Sequence, residues 1–377
     1  MSDLRVVIDQ MVGRVPGGIG RYATELTRAL IATAPPGAEV SGIVSSVTED
    51  ERAGIMGAAP GLARLHATGL RRRELSLAWQ LGVGRMPGMI HAMSLLAPLG
   101  RHDRVNDPGS QVAVTIHDAV PWTHPETLTP RGVSWHRAMA RRAERFADAI
   151  VVPTHAVAQQ LSEILDLGDR VRVIGAAASP DLVLPVDADD RASRLGLPER
   201  YVLAVGTLEP RKGLEPLIRS LALPSSTDLP LLLIGSPGWG GVDVESIARD
   251  AGLPPDRVRA LGRVDDADLA VALDRATVFV QPSLAEGFGI PLLEAFAFST
   301  PVVHSDAPAL VEVAGGAGII VTRGDADAYG ERLAEAIASV VADGDLAERL
   351  GVAGADRARS YSWRSSAEKV WQLHASL

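Results

Sequence analysis

Along the first half of the chain, short apolar runs alternate with stretches whose apolar residues recur about one helical turn apart. Residues 6–9, 40–44, 89–92, 112–117, 149–152 and 171–174 read as strands. Tyr22, Leu26 and Leu30 mark one face of a helix after the first strand, and further helices are predicted over 130–148 and 154–165. Strands alternating with helices predict a parallel sheet in an α/β domain. The pattern breaks at 179–200, where Asp, Pro and Arg crowd without periodicity; this reads as a linker with one short helix at 191–195. A second series follows, with strands at 201–205, 231–234, 258–260, 276–280, 302–303 and 318–321 and helices at 213–222, 266–274, 292–297 and 328–343. A final helix is predicted within 361–377, with Trp363, Val370 and Leu373 available for packing. The expectation is two α/β domains, 1–178 and 201–358, joined by the linker 179–200 and closed by a helix over 359–377. There is no short-period repeat and no low-complexity segment.

The bulk numbers narrow the class. A chain of 377 residues, 46% of them apolar, suits two domains with sizeable cores. The absence of cysteine excludes a disulfide framework and thiolate chemistry. No run of 18 apolar residues predicts a membrane-spanning helix. The start, Met1 to Arg5, runs straight into Val6-Val7-Ile8 and does not read as a signal peptide, so a cytoplasmic enzyme is the default.

The net charge of −9 hides an asymmetry. Residues 1–178 carry 19 Arg and 17 acids, a net of +2; residues 179–377 carry 16 Arg, 2 Lys and 29 acids, a net of −11. The acidic balance argues against a nucleic-acid partner. Arginine concentrates locally, with Arg64, Arg71, Arg72, Arg73, Arg85, Arg101 and Arg104 set against only Glu74 and Asp103. Arg137, Arg141 and Arg145 form an i, i+4, i+8 stripe on the predicted helix 130–148. Such a stripe is most often a solvated face. With the first cluster, it alternatively offers peripheral contact with an anionic membrane, at the inner face of the cell membrane, or with a lipid-phosphate acceptor.

Four motifs carry chemistry. Pro16-Gly17-Gly18-Ile19-Gly20 lies between the first strand and first helix; glycines there let a phosphate approach backbone N–H groups, though such loops often only turn the chain. Its spacing does not fit the dinucleotide fingerprint Gly-x-Gly-x-x-Gly. Gly206 to Gly213 follows the first strand of the second half and sets Arg211 beside Lys212, in a chain with only one other lysine, Lys369. A planar guanidinium and a mobile ammonium together suit a pyrophosphate. Thr115-Ile116-His117-Asp118 ends a predicted parallel strand, where ligands of α/β sheets bind; a lone His there is as often structural. Finally, Glu286-Gly-Phe288-Gly289-Ile290-Pro-Leu-Leu-Glu294 spans a strand, a glycine turn and a helix start with proline in its first turn. Carboxylates only accept hydrogen bonds, so they suit a ligand rich in hydroxyls. Either Glu alone reads more simply as a surface residue; the nine-residue string at this junction does not.

This last string, with its intervening Gly-Phe-Gly-Ile-Pro, resembles the hallmark Glu, seven residues, Glu motif of the family 4 GT-B glycosyltransferases. The resemblance covers both halves, from Gly17 to the final helix, and is strongest over 201–300. It implies a GT-B fold, two Rossmann-like domains with parallel sheets facing across a cleft, the last helix crossing back onto the first domain. It implies retaining transfer of a sugar from a nucleoside diphosphate donor, by front-face attack with the leaving phosphate taking the acceptor's proton. By matching position, Arg211 and Lys212 would hold the diphosphate, with Gly17, Gly18 and Gly206 against it. Glu286 would bind sugar hydroxyls and Glu294 the ribose, with backbone at Phe288, Gly289 and Ile290 around sugar and phosphate. Arg263 and Val264 would lie by the nucleobase, and His117 would contact the transferred sugar, oriented by Asp118. The strings around His117 and Gly18 look most like bacterial mannosyltransferases of surface-polysaccharide assembly, which makes GDP-mannose the first donor and a glycan or lipid-linked molecule the acceptor. The alternatives are a nucleotide-sugar epimerase or phosphorylase of the same fold, and a scaffold that binds a sugar nucleotide without turnover. No cofactor and no metal are expected: the nine His lack ligand spacing, and the Asp-x-Asp pairs at Asp187/Asp189, Asp266/Asp268 and Asp325/Asp327 read as solvent-facing.

Overall fold

The structure, a computed structural model, describes residues 2–12, 17–84, 86–103 and 109–377, without the side chains of Ser2, Ala326 and Asp327. Pro16, Arg85 and Arg104 lie outside the described residues, as does the side chain of Asp327. The chain forms two compact units. Met1–Thr123, Pro130–Ala176 and Ser362–Leu377 make the first, and His124–Thr129 with Ala177–Tyr361 the second.

Unit 1 holds β1 (Ser2–Val7), α1 (Gly18–Ala32), β2 (Ala38–Val44), α2 (Glu49–Ala58), β3 (Arg64–Ala67), α3 (Arg72–Gln80), β4 (Met89–Ala92), β5 (Gln111–Thr115), α4 (Val120–Thr123), α5 (Pro130–Phe146), β6 (Ala149–Val152), α6 (His155–Ser162) and β7 (Val171–Val173). Its seven strands run parallel in the order β3-β2-β1-β4-β5-β6-β7. Parallel strands are covered on both faces, which is why β5 and β6 are buried at every position. One face buries Leu75 and Trp79 of α3, Met139 of α5 and Leu161 of α6. The crossovers through α1 and α3 travel in opposite directions across the sheet, so right-handed connections put them on opposite faces.

Unit 2 holds α7 (Ala188–Leu195), β8 (Val202–Val205), α8 (Leu214–Ser220), β9 (Leu231–Ile234), α9 (Val244–Asp250), β10 (Val258–Gly262), α10 (Asp266–Asp274), β11 (Val278–Gln281), α11 (Ile290–Ala297), β12 (Val302–Ser305), α12 (Pro308–Ala314), β13 (Ile319–Val321), α13 (Ala326–Ala342) and α14 (Gly344–Ala358). Its six parallel strands order as β10-β9-β8-β11-β12-β13. The chain then returns to unit 1 as α15 (Trp363–Ser376). There it packs on α1: the indole of Trp371 donates to the Leu30 carbonyl at 3.1 Å, and Ser366 donates to the Gly175 carbonyl at 2.8 Å.

The stretch predicted as linker contains α7 and belongs to unit 2. Arg191 of α7 pairs with Asp187 at 3.0 Å and reaches Asp268 of α10 at 2.7 Å. Asp187 is thus committed to an ion pair, and Asp189 pairs with Arg275 while staying 95% exposed.

In each sheet the strand order reverses once, between β1 and β4 in unit 1 and between β8 and β11 in unit 2. Loops leaving adjacent strands diverge there and open a crevice at the carboxyl ends, where ligands of such sheets bind. The Gly17 loop follows β1; the Arg211 and Glu286 loops follow β8 and β11.

Candidate active site

In unit 2 the loop after β8 ends in a short 3-10 turn, Pro210–Lys212, which points Arg211 and Lys212 toward the loop after β11. Gly213 closes this turn at φ +65°, and a Cβ there would fall 2.1 Å from the Pro282 carbonyl oxygen. Only glycine lets the two loops cross so closely. The loops lock reciprocally: the Leu284 amide donates to the Arg211 carbonyl at 2.8 Å, and the Arg211 guanidinium donates to the Ala285 carbonyl at 2.9 Å. Arg323 adds a further clamp on the Leu284 carbonyl.

Glu286 is the centre of this lock. Its Oε1 accepts from Lys212 Nζ at 2.7 Å, Ser283 Oγ at 2.8 Å and Gln281 Nε2 at 3.1 Å; its Oε2 accepts from Arg211 Nη1 at 3.2 Å. The side chain is only 8% exposed. Burial alone would raise its pKa, but Lys212, Arg211 and the hydrogen bonds outweigh that and hold the carboxyl at about 2. Arg211 also pairs with Glu209 at 2.7 Å. The four ionic side chains therefore balance, two cations against two carboxylates, and Glu286 has little acceptor capacity to spare while both cations rest on it.

Gly287 to Gly289 carries the chain from Glu286 into α11. Gly289 sits at φ +102°, where a Cβ would come 2.5 Å from Leu310, and it caps α11 without any side-chain hydrogen bond. The Phe288 ring turns inward, edge-on to Tyr361 at 5.6 Å, so its backbone is what remains for a ligand. Ile290 opens the helix. Glu294 lies on its second turn and is 3% exposed, which excludes an ordinary solvent-facing helical glutamate. Gly206 follows β8 and is approached by Gly235 of the next loop, where a Cβ would fall 1.8 Å from the Gly206 carbonyl oxygen. Arg263, exposed, and Val264, half-buried, follow β10 at the edge of the same sheet.

In unit 1, Gly17 caps α1 without a side-chain hydrogen bond and Gly18 begins it; both are exposed, with open space where a Cβ would stand. His117 follows β5 by two residues. Its Nε2 lies 2.7 Å from the Met93 carbonyl, an acceptor only, which places the proton on Nε2 and leaves the Nδ1 lone pair. The Tyr22 ring stands edge-on to the imidazole at 4.8 Å. Burial lowers the His117 pKa, against smaller opposing effects of the Met93 carbonyl and Asp118, so the ring is neutral at pH 7. Asp118 does not orient the ring by a hydrogen bond. Its Oδ1 accepts from the Val120 amide at 3.1 Å and starts α4, because an aspartate two residues ahead of a free helical N–H takes that donor.

Contacts thus join Arg211, Lys212 and Glu286 in one cluster. Gly17, Gly18 and His117 sit in the other unit. Sequence reasoning missed Gln281, Ser283 and Glu209, which hold the cluster in place. The spacing Ser283-x-x-Glu286 and the acid two positions before Arg211 were the available signals. Among the described residues, no group of three or more His, Asp or Glu stands close enough to hold a metal.

Two family models match the chain: one described as glycosyl transferases group 1 over residues 186–357, and one described as glycosyltransferase family 4 over residues 16–181. The chain is 29% identical over 266 residues to the O-antigen chain mannosyltransferase B of Escherichia coli, covering 68% of each chain. It is 33% identical over 222 residues to the phosphatidyl-myo-inositol mannosyltransferase of Mycobacterium leprae, covering 57% of this chain and 54% of that protein. Among solved structures it resembles a sucrose-phosphate synthase from Thermosynechococcus elongatus, with TM-score 0.74, 24% identity and coverage of 100% and 99% of the two chains. It also resembles Anabaena HepE in complex with UDP and glucose, with TM-score 0.75, 18% identity and full coverage of both. At these identities the structural likeness speaks for the GT-B fold.

Proposed function

The chain belongs to the group 1, family 4 glycosyltransferases, and from that premise we propose that it moves a hexose, mannose from GDP-mannose in the first instance, onto a glycan or lipid-linked acceptor. The anomeric configuration is retained and no metal takes part. The observation that carries this reading is the pair Arg211 and Lys212, held on Glu286 in the crevice between β8 and β11.

A diphosphate entering that crevice competes with Glu286 for the two cations. Phosphate oxygens draw Arg211 and Lys212 away, and the carboxylate they leave is freed to accept from sugar hydroxyls. Donor binding and sugar recognition are thereby coupled through one exchange of partners. As the glycosidic bond breaks, the two cations stabilise charge gathering on the leaving diphosphate, which is the task a metal performs elsewhere. Backbone N–H groups at the uncapped start of α11 add donors for the same charge. Glu294, buried on α11, takes the ribose hydroxyls, and Arg263 with Val264 borders the base. In unit 1, neutral His117 keeps an Nδ1 lone pair that suits a hydroxyl group, and the glycine start of α1 offers backbone N–H groups without a side-chain cap. The mannosyltransferase relatives support mannose as the first donor to test.

The test is a donor screen, with thermal shift and product analysis on GDP-mannose, UDP-glucose and ADP-glucose, with and without a mannosyl acceptor. Transfer from GDP-mannose with retained configuration supports the reading. Isomerised donor in the absence of acceptor would replace it with an epimerase, and binding without any turnover with a scaffold.

A further inference from the structure

Side chains from four separate places in the chain hold the turn that leads into Glu286. The Pro282 carbonyl accepts from the Tyr329 hydroxyl of α13 at 3.0 Å, and the Ser283 carbonyl from the Ser305 hydroxyl at the end of β12 at 2.5 Å. The Leu284 carbonyl accepts from Arg323, after β13, and the Ala285 carbonyl from Arg211, after β8, at 2.9 Å. Four consecutive carbonyls thus each take a side-chain donor. An irregular turn has no ladder to satisfy its carbonyls, and water can do so without fixing the chain. Donors drawn from elements already packed in the sheet fix it instead. Tyr329 is 3% exposed and Ser305 fully buried. Burial raises the pKa of the Tyr329 phenol, so it remains a donor at ordinary pH. Ser305 is itself held, accepting from the Ala307 amide at 3.3 Å, and Arg323 is braced by Asp306.

The four clamps are of two kinds. Arg211 comes from the β8 side and also rests on Glu286, so a diphosphate that takes Arg211 removes its hold on the turn. Tyr329, Ser305 and Arg323 come from the β12 and β13 side and reach the turn through its backbone rather than through the carboxylate. We propose that these three are positioning residues for Glu286, keeping its carboxylate aimed at the sugar once Arg211 and Lys212 have turned to the diphosphate. The inference rests on the sugar-binding role proposed above for Glu286. With both cations gone, the carboxylate keeps Gln281 and Ser283, and Ser283 lies in the same turn and would move with it. A misplacement of about 1 Å can cost about 10²-fold in rate, so a hold that outlasts the cations matters to turnover.

A matched pair of hydroxyl deletions tests this. Tyr201, buried in the same unit, donates its hydroxyl to the Ala272 carbonyl of α10 at 2.7 Å. Tyr201→Phe and Tyr329→Phe therefore remove the same group from the same kind of acceptor and differ in which backbone they release. The measurements are amide hydrogen exchange over 283–289, kcat with GDP-mannose, and GDP affinity by calorimetry, with Ser305→Ala as a second variant.

Tyr329→Phe and Ser305→Ala should speed exchange in that segment and lower kcat on the order of tenfold, with GDP bound as in the wild type. Tyr201→Phe should match the wild type in kcat and in exchange there, although its melting temperature falls as far as that of Tyr329→Phe. An equal loss of kcat in Tyr201→Phe would overturn the proposal, since any lost buried hydrogen bond would then do the same. So would Tyr329→Phe and Ser305→Ala variants that exchange and turn over like the wild type, or a loss of GDP affinity as large as the loss of kcat. Exchange needs no nucleotide, so it separates the two failures: a wild type without turnover removes the proposed function, whereas unchanged exchange in the variants removes the clamp.

Discussion

The two sheets share a plan, with one reversal of strand order each, yet their crevices are furnished in opposite ways. In unit 2 the crevice holds Arg211, Lys212, Glu286 and Glu209, neutralised among themselves. In unit 1 the corresponding strand ends carry an uncapped glycine helix start and a histidine kept uncharged by burial. A site meant for a charged ligand must hold its own charges when the ligand is away, and ion pairs between two loops do so. A site meant for hydroxyl groups needs only fixed, neutral acceptors and room. The difference makes Arg211 and Lys212 of unit 2 the first place to test for diphosphate binding.

The comparison is most easily broken at the cations. Arg211→Ala and Lys212→Ala should each lower the transfer rate by about 10²–10³. Each loss leaves Glu286 with one remaining cation, so the stability cost should stay at about 1–3 kcal/mol. Removing both strands the carboxylate and should cost about 3–5 kcal/mol. Steady-state rates and urea melts on the three variants check this, and near-normal turnover in either single variant removes that residue from the diphosphate site.

The acid limb of stability gives the next effect. The Glu286 carboxyl titrates at about 2 when folded, against 4.5 for an unperturbed glutamate. A depressed folded pKa means its stabilisation, on the order of 3 kcal/mol, is complete above pH 4.5 and disappears as pH falls toward 2. Glu286→Gln should flatten that part of the melting-temperature profile relative to the wild type. A parallel loss in both would show that the ion pairs contribute little.

His117 sharpens the unit 1 side. Because burial lowers its pKa below 6.5, the wild-type rate should not fall as pH drops through the ordinary histidine range. His117→Ala should cost about tenfold in rate, the worth of one hydrogen bond near the reacting sugar. A rate that declines around pH 6.5 would contradict a neutral, buried ring. The smallest effect expected is none: EDTA should leave transfer intact, and a loss restored by Mg²⁺ or Mn²⁺ would overturn the cationic substitution for a metal.

The sequence made parts of both units legible and left parts of both unread. The strand at 149–152 matches the structure to the residue because Asp148 and Pro153 bound its apolar run. The helices α2, α3, α4, α9, α12 and α14 and the strand β3 went unread. α2 buries only Ile55, so its stripe is faint, although Thr48 and Glu51 form a capping box visible in the letters. α14 is diluted by Gly351 and Gly354, which pack where a Cβ would meet Ser299 and Phe296. α3 escaped because exposed Leu77 blurs the period set by buried Leu75 and Trp79. Arg211, Lys212 and Glu286 were legible from residue type and place, but their mutual pairing was not, since positions about 75 residues apart meet only through the β8 and β11 loops.

The central claim is the exchange of partners at Glu286, and calorimetric titration of GDP, with UDP alongside, tests it most directly. Glu286→Gln removes the competitor for Arg211 and Lys212, so it should bind the nucleotide as tightly as the wild type or more tightly, while kcat falls because the sugar loses a charged acceptor worth about 1.5–3 kcal/mol. Glu294→Gln should weaken the free nucleotide and raise KM more than it lowers kcat. If Glu286→Gln instead loses nucleotide affinity while Glu294→Gln binds like the wild type, neither the exchange nor the ribose assignment stands.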